Sequence, residues 1–213
     1  MSGTIIDLTF PLLGSQPLQS DHGYHLYSAI SHALPAAHES NGIALHPICG
    51  RQIGNRGMQL SESSSLTIRM ADDRISDFLP LAGKQLKLAG CTLRVGIPQV
   101  RALTAATALR SRLVTIKNGM DPARFTAELL RKLAAMGVSE DAQVTLGKRR
   151  TLRIKDKEVV GYEVLIEALT AEESLAVQTN AVADPQLGFS RRHMGCGVFV
   201  PFNPRQERGH EGI

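Results

Sequence analysis

The residues best suited to chemistry stand near the C-terminus, in Leu187-Gly188-Phe189-Ser190-Arg191-Arg192-His193-Met194-Gly195-Cys196-Gly197-Val198-Phe199-Val200-Pro201. Glycines bracket a cationic cluster, and a short apolar strand follows. Glycine lets the backbone approach a ligand closely and reach positive φ, and arginine offers forked donors that fit phosphate. The segment reads as a loop that grips a phosphate backbone, or as a surface turn that is merely basic. A second cationic run is Lys148-Arg149-Arg150-Thr151-Leu152-Arg153-Ile154-Lys155. On a strand, Arg149, Thr151, Arg153 and Lys155 share one face, and Arg150, Leu152 and Ile154 the other. A line of cations on a strand can track a nucleic-acid backbone. The competing reading is an edge strand protected by its charge.

Imidazole is concentrated elsewhere, with five of the seven histidines between His22 and His46. Histidine exchanges protons near neutral pH. Asp21-His22-Gly23-Tyr24 sits at a loop-to-helix junction, where free N–H groups and the positive helix end favour an anion. His22 precedes the apolar periodicity of the helix and is expected to point away from the core, as a proton-transfer group or as a capping residue. His25 and His32 share a helix face and read as packing or surface positions. His38-Glu39 follows Pro35, and His46-Pro47 opens the next strand. His46 reads as a structural residue held by backbone. His22, His38 and His46 have no HExxH or CxxC spacing, so no metal site is expected. Cys49, Cys91 and Cys196 are odd in number and far apart, neither a disulfide framework nor a metal site; a reducing cytoplasm is the expected home.

The elements that must position these groups follow from periodicity. Residues 5–13 read as a strand, 14–20 as a loop, and 23–34 as a helix with Leu26, Ile30 and Leu34 on one face, stopped by Pro35. Residues 43–49 form a short apolar strand. In 66–70, Leu66, Ile68 and Met70 point inward, and Thr67 and Arg69 outward. Asp72 and Asp73 open a helix, and 85–95 is a strand pair around Ala89-Gly90. The second half repeats the pattern: a strand over 112–117, a helix capped by Asp121 with Pro122 at its first position and Phe125, Leu129, Leu130 and Leu133 on its face. A hairpin over 149–169 turns at Lys155-Asp156-Lys157, a helix begins at Thr170 with a capping box, and a last strand covers 198–200. Two β-α-β-β-α-β units predict an α+β chain of two tandem ferredoxin-like domains. Their bounds are 1–100 and 101–202, the linker lies near 98–107, and 203–213 is a polar tail.

Composition narrows the function. With 213 residues, 43% hydrophobic and 21% charged, the chain has the profile of a folded globular protein. No apolar run approaches the roughly 20 residues of a membrane span. Residues 1–100 carry seven Lys/Arg and seven Asp/Glu, whereas 101–213 carry seventeen and thirteen, so the whole net charge of +4 lies in the second half. Six Phe, three Tyr and no Trp leave no aromatic pair for stacking single-stranded bases on a sheet. Phosphates, groove shape and hydrogen bonds are the expected contacts.

The blocks Asp21-His22-Gly23-Tyr24, Arg149 to Lys155, Val160-Gly161-Tyr162 and Arg191 to Pro201 resemble the signature segments of the CRISPR repeat-RNA-processing endoribonucleases. The likeness spans nearly the whole chain. It implies a RAMP-type tandem ferredoxin-like fold and metal-independent cleavage within the CRISPR repeat, with no cofactor. The ribose 2′-hydroxyl attacks the scissile phosphate, leaving a 2′,3′-cyclic phosphate and a 5′-hydroxyl. His22 is the expected proton-transfer residue with Tyr24 near the phosphate, and His38 is the alternative. Lys148, Arg149, Arg150, Arg153, Lys155, Arg191, Arg192 and His193, with the backbone N–H groups of Gly195 and Gly197, are expected to hold the repeat stem-loop. The implied partners are that RNA and other subunits of a guide-RNA complex. A non-catalytic RNA-binding subunit of such a complex is the alternative reading.

Overall fold

A computed structural model describes residues 3–35, 42–54, 56–117, 119–183 and 188–203. The expectations for His38 and for the tail beyond 203 lie outside the described residues.

The first half is built on β1 (Ile5–Leu13), whose buried Ile6, Leu8, Phe10 and Leu12 alternate as a half-buried strand requires. Next come β2 (Leu18–Gln19), α1 (Gly23–Ala33), β3 (Ala44–Leu45), β4 (Arg51–Gln52), β5 (Gly57–Gln59) and β6 (Ser65–Ala71). Residues 72–81 form one irregular helical stretch, two 3-10 turns around α2 (Ile75–Phe78). The hairpin β7 (Gln85–Leu88) and β8 (Cys91–Val95) turns at Ala89-Gly90 as predicted, and β9 (Gln99–Ala102) follows. The main sheet runs β3-β6-β1-β8-β7. With β1, β3, β6 and β8 as first to fourth strands, their order across the sheet is 2-3-1-4. The expected 43–49 strand shrinks to two residues. β2, β5 and β4 make a separate small sheet that sequence reading did not anticipate.

The second half repeats the plan with β10 (Leu109–Val114), α3 (Pro122–Ala135), β11 (Gln143–Ile154), β12 (Lys157–Glu167), α4 (Ala171–Ala183) and β13 (Val200–Pro201). Its sheet runs β11-β12-β10-β13, again 2-3-1-4. Local signals account for the helices. The Asp121 carboxylate accepts the Ala123 N–H at 2.7 Å. At α4 the Thr170 hydroxyl accepts the Glu173 N–H while the Glu173 carboxylate accepts the Thr170 N–H, the reciprocal capping box. A second bond from the Ser139 N–H helps hold the Glu173 carboxyl down at about 2. The β11–β12 turn is Lys155-Asp156, with Lys155 at φ 52°.

Several expectations are corrected. Residues 99–102 are not linker: β9 pairs with β1 from Ile6 to Thr9, so the boundary expected at 100 falls inside a strand of the first sheet. β10 begins three residues earlier than expected, β11 six, and the last strand is Val200–Pro201. Leu130 is 47% exposed because the α3 face that docks is set by Phe125, Leu129 and Leu133. Arg69 is the largest departure. Expected outward, it is 1% exposed, because the outer face of β6 is covered by the second half.

Each half has its own core, Phe10, Ile68 and Phe78 among the first, Phe125, Val164 and Phe199 among the second. An apolar seam joins them, where Ala44, Val182 and Val198 pack with Ile5; Leu113, Leu152 and Cys196 pack with Met194 within the second half. Arg69 crosses the seam: it forks onto Asp7 at 2.8 and 2.9 Å and donates to the Phe199 carbonyl at 2.8 Å and the Gln178 carbonyl at 3.4 Å. Among the described residues no helix is long and apolar enough to cross a membrane.

Candidate functional site

A cleft of about 740 Å³ opens between the two halves. One wall is the loop into α1, Ser20 to Gly23. The opposite wall is Lys148, Arg149, Arg150, Thr151 and Leu152 of β11, with Arg112 of β10. Leu45, His46 and Pro47 line it from the first half and Met194 and Gly195 from the terminal loop, while Gln52 and Arg56 of the small sheet overhang it. A shallower groove continues outward past His25, Arg153 and Asp156. Histidine-bearing segment, basic strand and glycine-rich loop therefore meet in one place.

Two polar ties hold the walls at a fixed separation. The Asp21 carboxylate accepts the Arg153 backbone N–H at 2.8 Å, occupying the free edge of β11. Arg112 donates to the Ser20 carbonyl at 3.0 Å. Close approach of backbones does the rest: at Gly23 any Cβ would collide with the Met194 carbonyl, so glycine is what lets α1 start against the terminal loop. The ring of His193 packs on Tyr27 of α1, centroids 4.5 Å apart.

The cations divide into those turned to the cleft and those used inside. Lys148 and Arg149 are exposed. Arg150 is half-buried and donates to Glu163 at 3.0 Å, a carboxylate it shares with Arg110. A carboxylate between two guanidiniums fixes their positions, which preorganises Arg150 at the cleft wall. Arg153 lies farther out, and Lys155 stands at the hairpin tip. Arg191 holds left-handed φ of 62° at the start of the terminal 3-10 turn. Arg192 is turned away from the cleft, onto the Asn180 carbonyl of α4 at 3.4 Å.

The glycine amides are corrected as well. Gly195 N–H donates to the Arg192 carbonyl at 3.0 Å and Gly197 N–H to the Leu113 carbonyl at 2.7 Å. Both donors close the loop and tie it to β10, so neither is presented to a ligand. The Cys196 thiol beneath is pushed up to about 12 by burial and is unreactive.

His22 does not point away from the core. It is 2% exposed. Its Nδ1 donates to the Gln19 carbonyl at 2.9 Å, and its Nε2 accepts the Ile48 N–H at 3.0 Å. That pattern requires the neutral ring. Burial pulls the imidazole down to about 4, against the pull of the Gln19 bond. His22 brackets the loop before α1 to the base of the small sheet. The apolar pattern missed this because the partner, Ile48, is supplied 26 residues on. Tyr24 is half-buried on the first turn of α1, its ring edge-on to His25, outside the cleft lining.

His46 follows β3, 13% exposed, with Nε2 3.4 Å from the Asp7 carboxylate. Burial lowers its basicity, Asp7 opposes and Arg69 adds to the lowering. Burial pushes the Asp7 carboxyl up, but the bonds from His46 and Arg69 outweigh it and hold it far below the usual carboxylate range. Expected to be held by backbone at a strand start, His46 instead follows β3, sets its imidazole beside the Asp7 carboxylate and lines the cleft.

Sequence reading missed Arg112 and Arg56. Arg110 and Arg112 stand at period two in a strand, as in β11. Arg56 lies between Gly54 and Gly57, the same glycine-with-arginine pattern as the terminal loop. Both signals were present in weaker form.

A profile of the Cas6 family, described as Cas6 Crispr, matches residues 6–204. The CRISPR-associated endonuclease Cas6 of Myxococcus xanthus (strain DK1622) is 38% identical over 196 residues, 92% of this chain and 81% of its own length. A solved structure of a Cas6-related protein from Pyrococcus furiosus superposes with a TM-score of 0.61 at 17% identity, over 94% of this chain and 99% of the other. Another, described as a RAMP protein binding different RNA substrates, gives a TM-score of 0.60 at 14% identity over 93% of this chain and all of that one. At such identities these two structures speak to the fold, a tandem ferredoxin-like arrangement of the RAMP type.

Proposed function

The chain belongs to the Cas6 family, and on that premise we propose that it cleaves precursor CRISPR RNA within the repeat without a metal ion. The observation that carries the reading is the shared cleft of about 740 Å³, in which the loop into α1 faces the cationic β11. The 2′-hydroxyl loses its proton to a base as its oxygen bonds the adjacent phosphorus. The bond to the 5′-oxygen breaks, and an acid protonates that oxygen. The products are a 2′,3′-cyclic phosphate and a 5′-hydroxyl, and no water or metal enters the balance.

Proton transfer requires an imidazole with a free nitrogen, and both nitrogens of His22 are engaged. That supports His38, the histidine just beyond α1, as the proton-transfer group, with His22 as a positioning residue. Tyr24 keeps a phosphate-steadying role in this reading only if the RNA reaches over the first turn of α1. Lys148, Arg149 and Arg150, with Arg112, balance charge developing on the phosphorane. Arg153, Lys155 and Arg191 hold the stem flanking the scissile bond. His193 acts by seating α1 on the terminal loop. Cleavage leaves the stem phosphates intact, so the same cations retain the product for assembly with other subunits of a guide complex.

The test is incubation of the purified chain with end-labelled repeat RNA and excess chelator. Cleavage at one repeat position, with an upstream product that resists phosphatase until the cyclic end is opened by acid, supports the reading. Tight binding without cleavage would instead make the chain an RNA-holding subunit, and chelator-abolished cleavage rescued by a divalent ion would overturn the chemistry.

A further inference from the structure

The chain runs on past the cleft after β10 ends at Val114. Arg112 and Leu113 line the cleft, while Thr115, Ile116 and Lys117 line a second groove of about 590 Å³ on the far side of the terminal loop. Its other wall is α3, through Arg124, Glu128, Arg131 and Lys132, and its rim is Gly188 and Ser190. We propose that this groove binds a single-stranded stretch of the same RNA as it leaves the cleft, with Lys117 and Arg124 contacting successive phosphates. The inference rests on the functional reading above and extends the RNA path beyond it.

The argument begins with charge. Among the described residues four cations face one carboxylate in the groove, and that carboxylate is occupied: Arg131 forks onto Glu128 at 2.7 and 2.8 Å. Lys132 is committed too, donating to the Gly188 carbonyl at 3.2 Å with its ammonium 6.0 Å from the Phe189 ring centroid. Lys117 and Arg124 are exposed, and their side chains make no hydrogen bond or ion pair with another described residue. Arg124 also acts on Glu128 through its charge alone, so two exposed cations on opposite walls keep their donors for a ligand, the arrangement that tracks a sugar–phosphate backbone.

Continuity comes next. The terminal loop and the chain after β10 are tied together between cleft and groove: Ser190 Oγ donates to the Thr115 carbonyl at 3.0 Å and lies 3.3 Å from Thr115 Oγ1, and the exposed Ser190 presents a polar residue at the crossing. The five Cα steps from Arg112 to Lys117 span no more than about 18 Å, within reach of a few extended nucleotides. Arg191 follows Ser190 directly, so the polar crossing has a cation at its edge. Among the described residues no aromatic ring lines the groove, so it reads phosphates and not bases.

The experiment compares wild type with the Lys117→Ala, Arg124→Ala double variant on three labelled RNAs: the repeat stem-loop alone, the stem-loop with ten unpaired nucleotides on either side, and a ten-nucleotide oligouridylate. Both side chains are exposed, and an unchanged melting temperature confirms folding. The expected result is a loss of about tenfold for the flanked RNA and for oligouridylate beyond any loss on the stem-loop alone, the size usual for two exposed ion pairs. The salt slope on oligouridylate falls by about 1.4. Equal affinity of variant and wild type for flanked RNA and oligouridylate would overturn the groove while leaving the functional reading intact. Failure of wild type to bind the stem-loop would instead count against that reading, and oligouridylate would still report on the groove.

Discussion

The carboxylate of Asp21 accepts the backbone N–H of Arg153 at 2.8 Å, so the loop entering α1 is fastened to the edge of the cationic strand 132 residues later in the chain. The cleft between them therefore has a width set by a hydrogen bond, not by the reach of flexible side chains. Asp21→Ala removes the acceptor. Displacement of a site wall by about 1 Å costs up to about 10²-fold in rate, so cleavage should fall by at least about tenfold while the dissociation constant changes less than threefold. Single-turnover kinetics beside equilibrium binding measures both; equal losses in the two would refute the positioning role.

His38→Ala should lower the cleavage rate by at least about 10²-fold with stem-loop binding retained, the range of general acid–base catalysis. Single-turnover cleavage measured beside equilibrium binding of the stem-loop checks both.

His22 carries a different signature. Its folded pKa of about 4 lies below the 6.5 of a free imidazole. Between those values the unfolded chain binds the extra proton, so stability rises with pH through the window. The direction is loss of stability on acidification from about 6.5 to 4, worth about 3 kcal/mol for a group this buried. Urea melts across that range should show it, and His22→Gln should flatten the dependence. A variant equally acid-sensitive would place the effect elsewhere.

Arg149→Ala and Arg153→Ala should each lower the slope of log affinity against log salt by about one, with melting temperatures preserved because both are exposed. Arg150→Ala should also destabilise the fold, because it leaves Glu163 with Arg110 alone. Titration of repeat RNA at several salt concentrations separates the three.

Arg69→Met should destabilise the chain by about 3–5 kcal/mol, since it leaves the part-buried Asp7 carboxylate with His46 alone and two carbonyls without their donor. Limited proteolysis should then cut between the halves before either core. A variant that resists protease like wild type would show that apolar packing at the seam suffices.

What the sequence determined unaided was everything whose cause lies within a few residues. Asp121-Pro122 and the Thr170–Glu173 box start their helices by hydrogen bonds that close locally. Period two in Leu66, Ile68 and Met70 and period 3.6 in Phe125, Leu129 and Leu133 mark inner faces, and the repeated order of elements leads to the tandem fold. Tertiary structure alone decided where Arg69, His22, Arg192 and the Gly197 amide are spent, because their partners are Phe199, Ile48, Asn180 and Leu113. Polar groups must be satisfied wherever burial finds them, and a cation or imidazole looks the same in sequence whether a ligand or a distant carbonyl completes it.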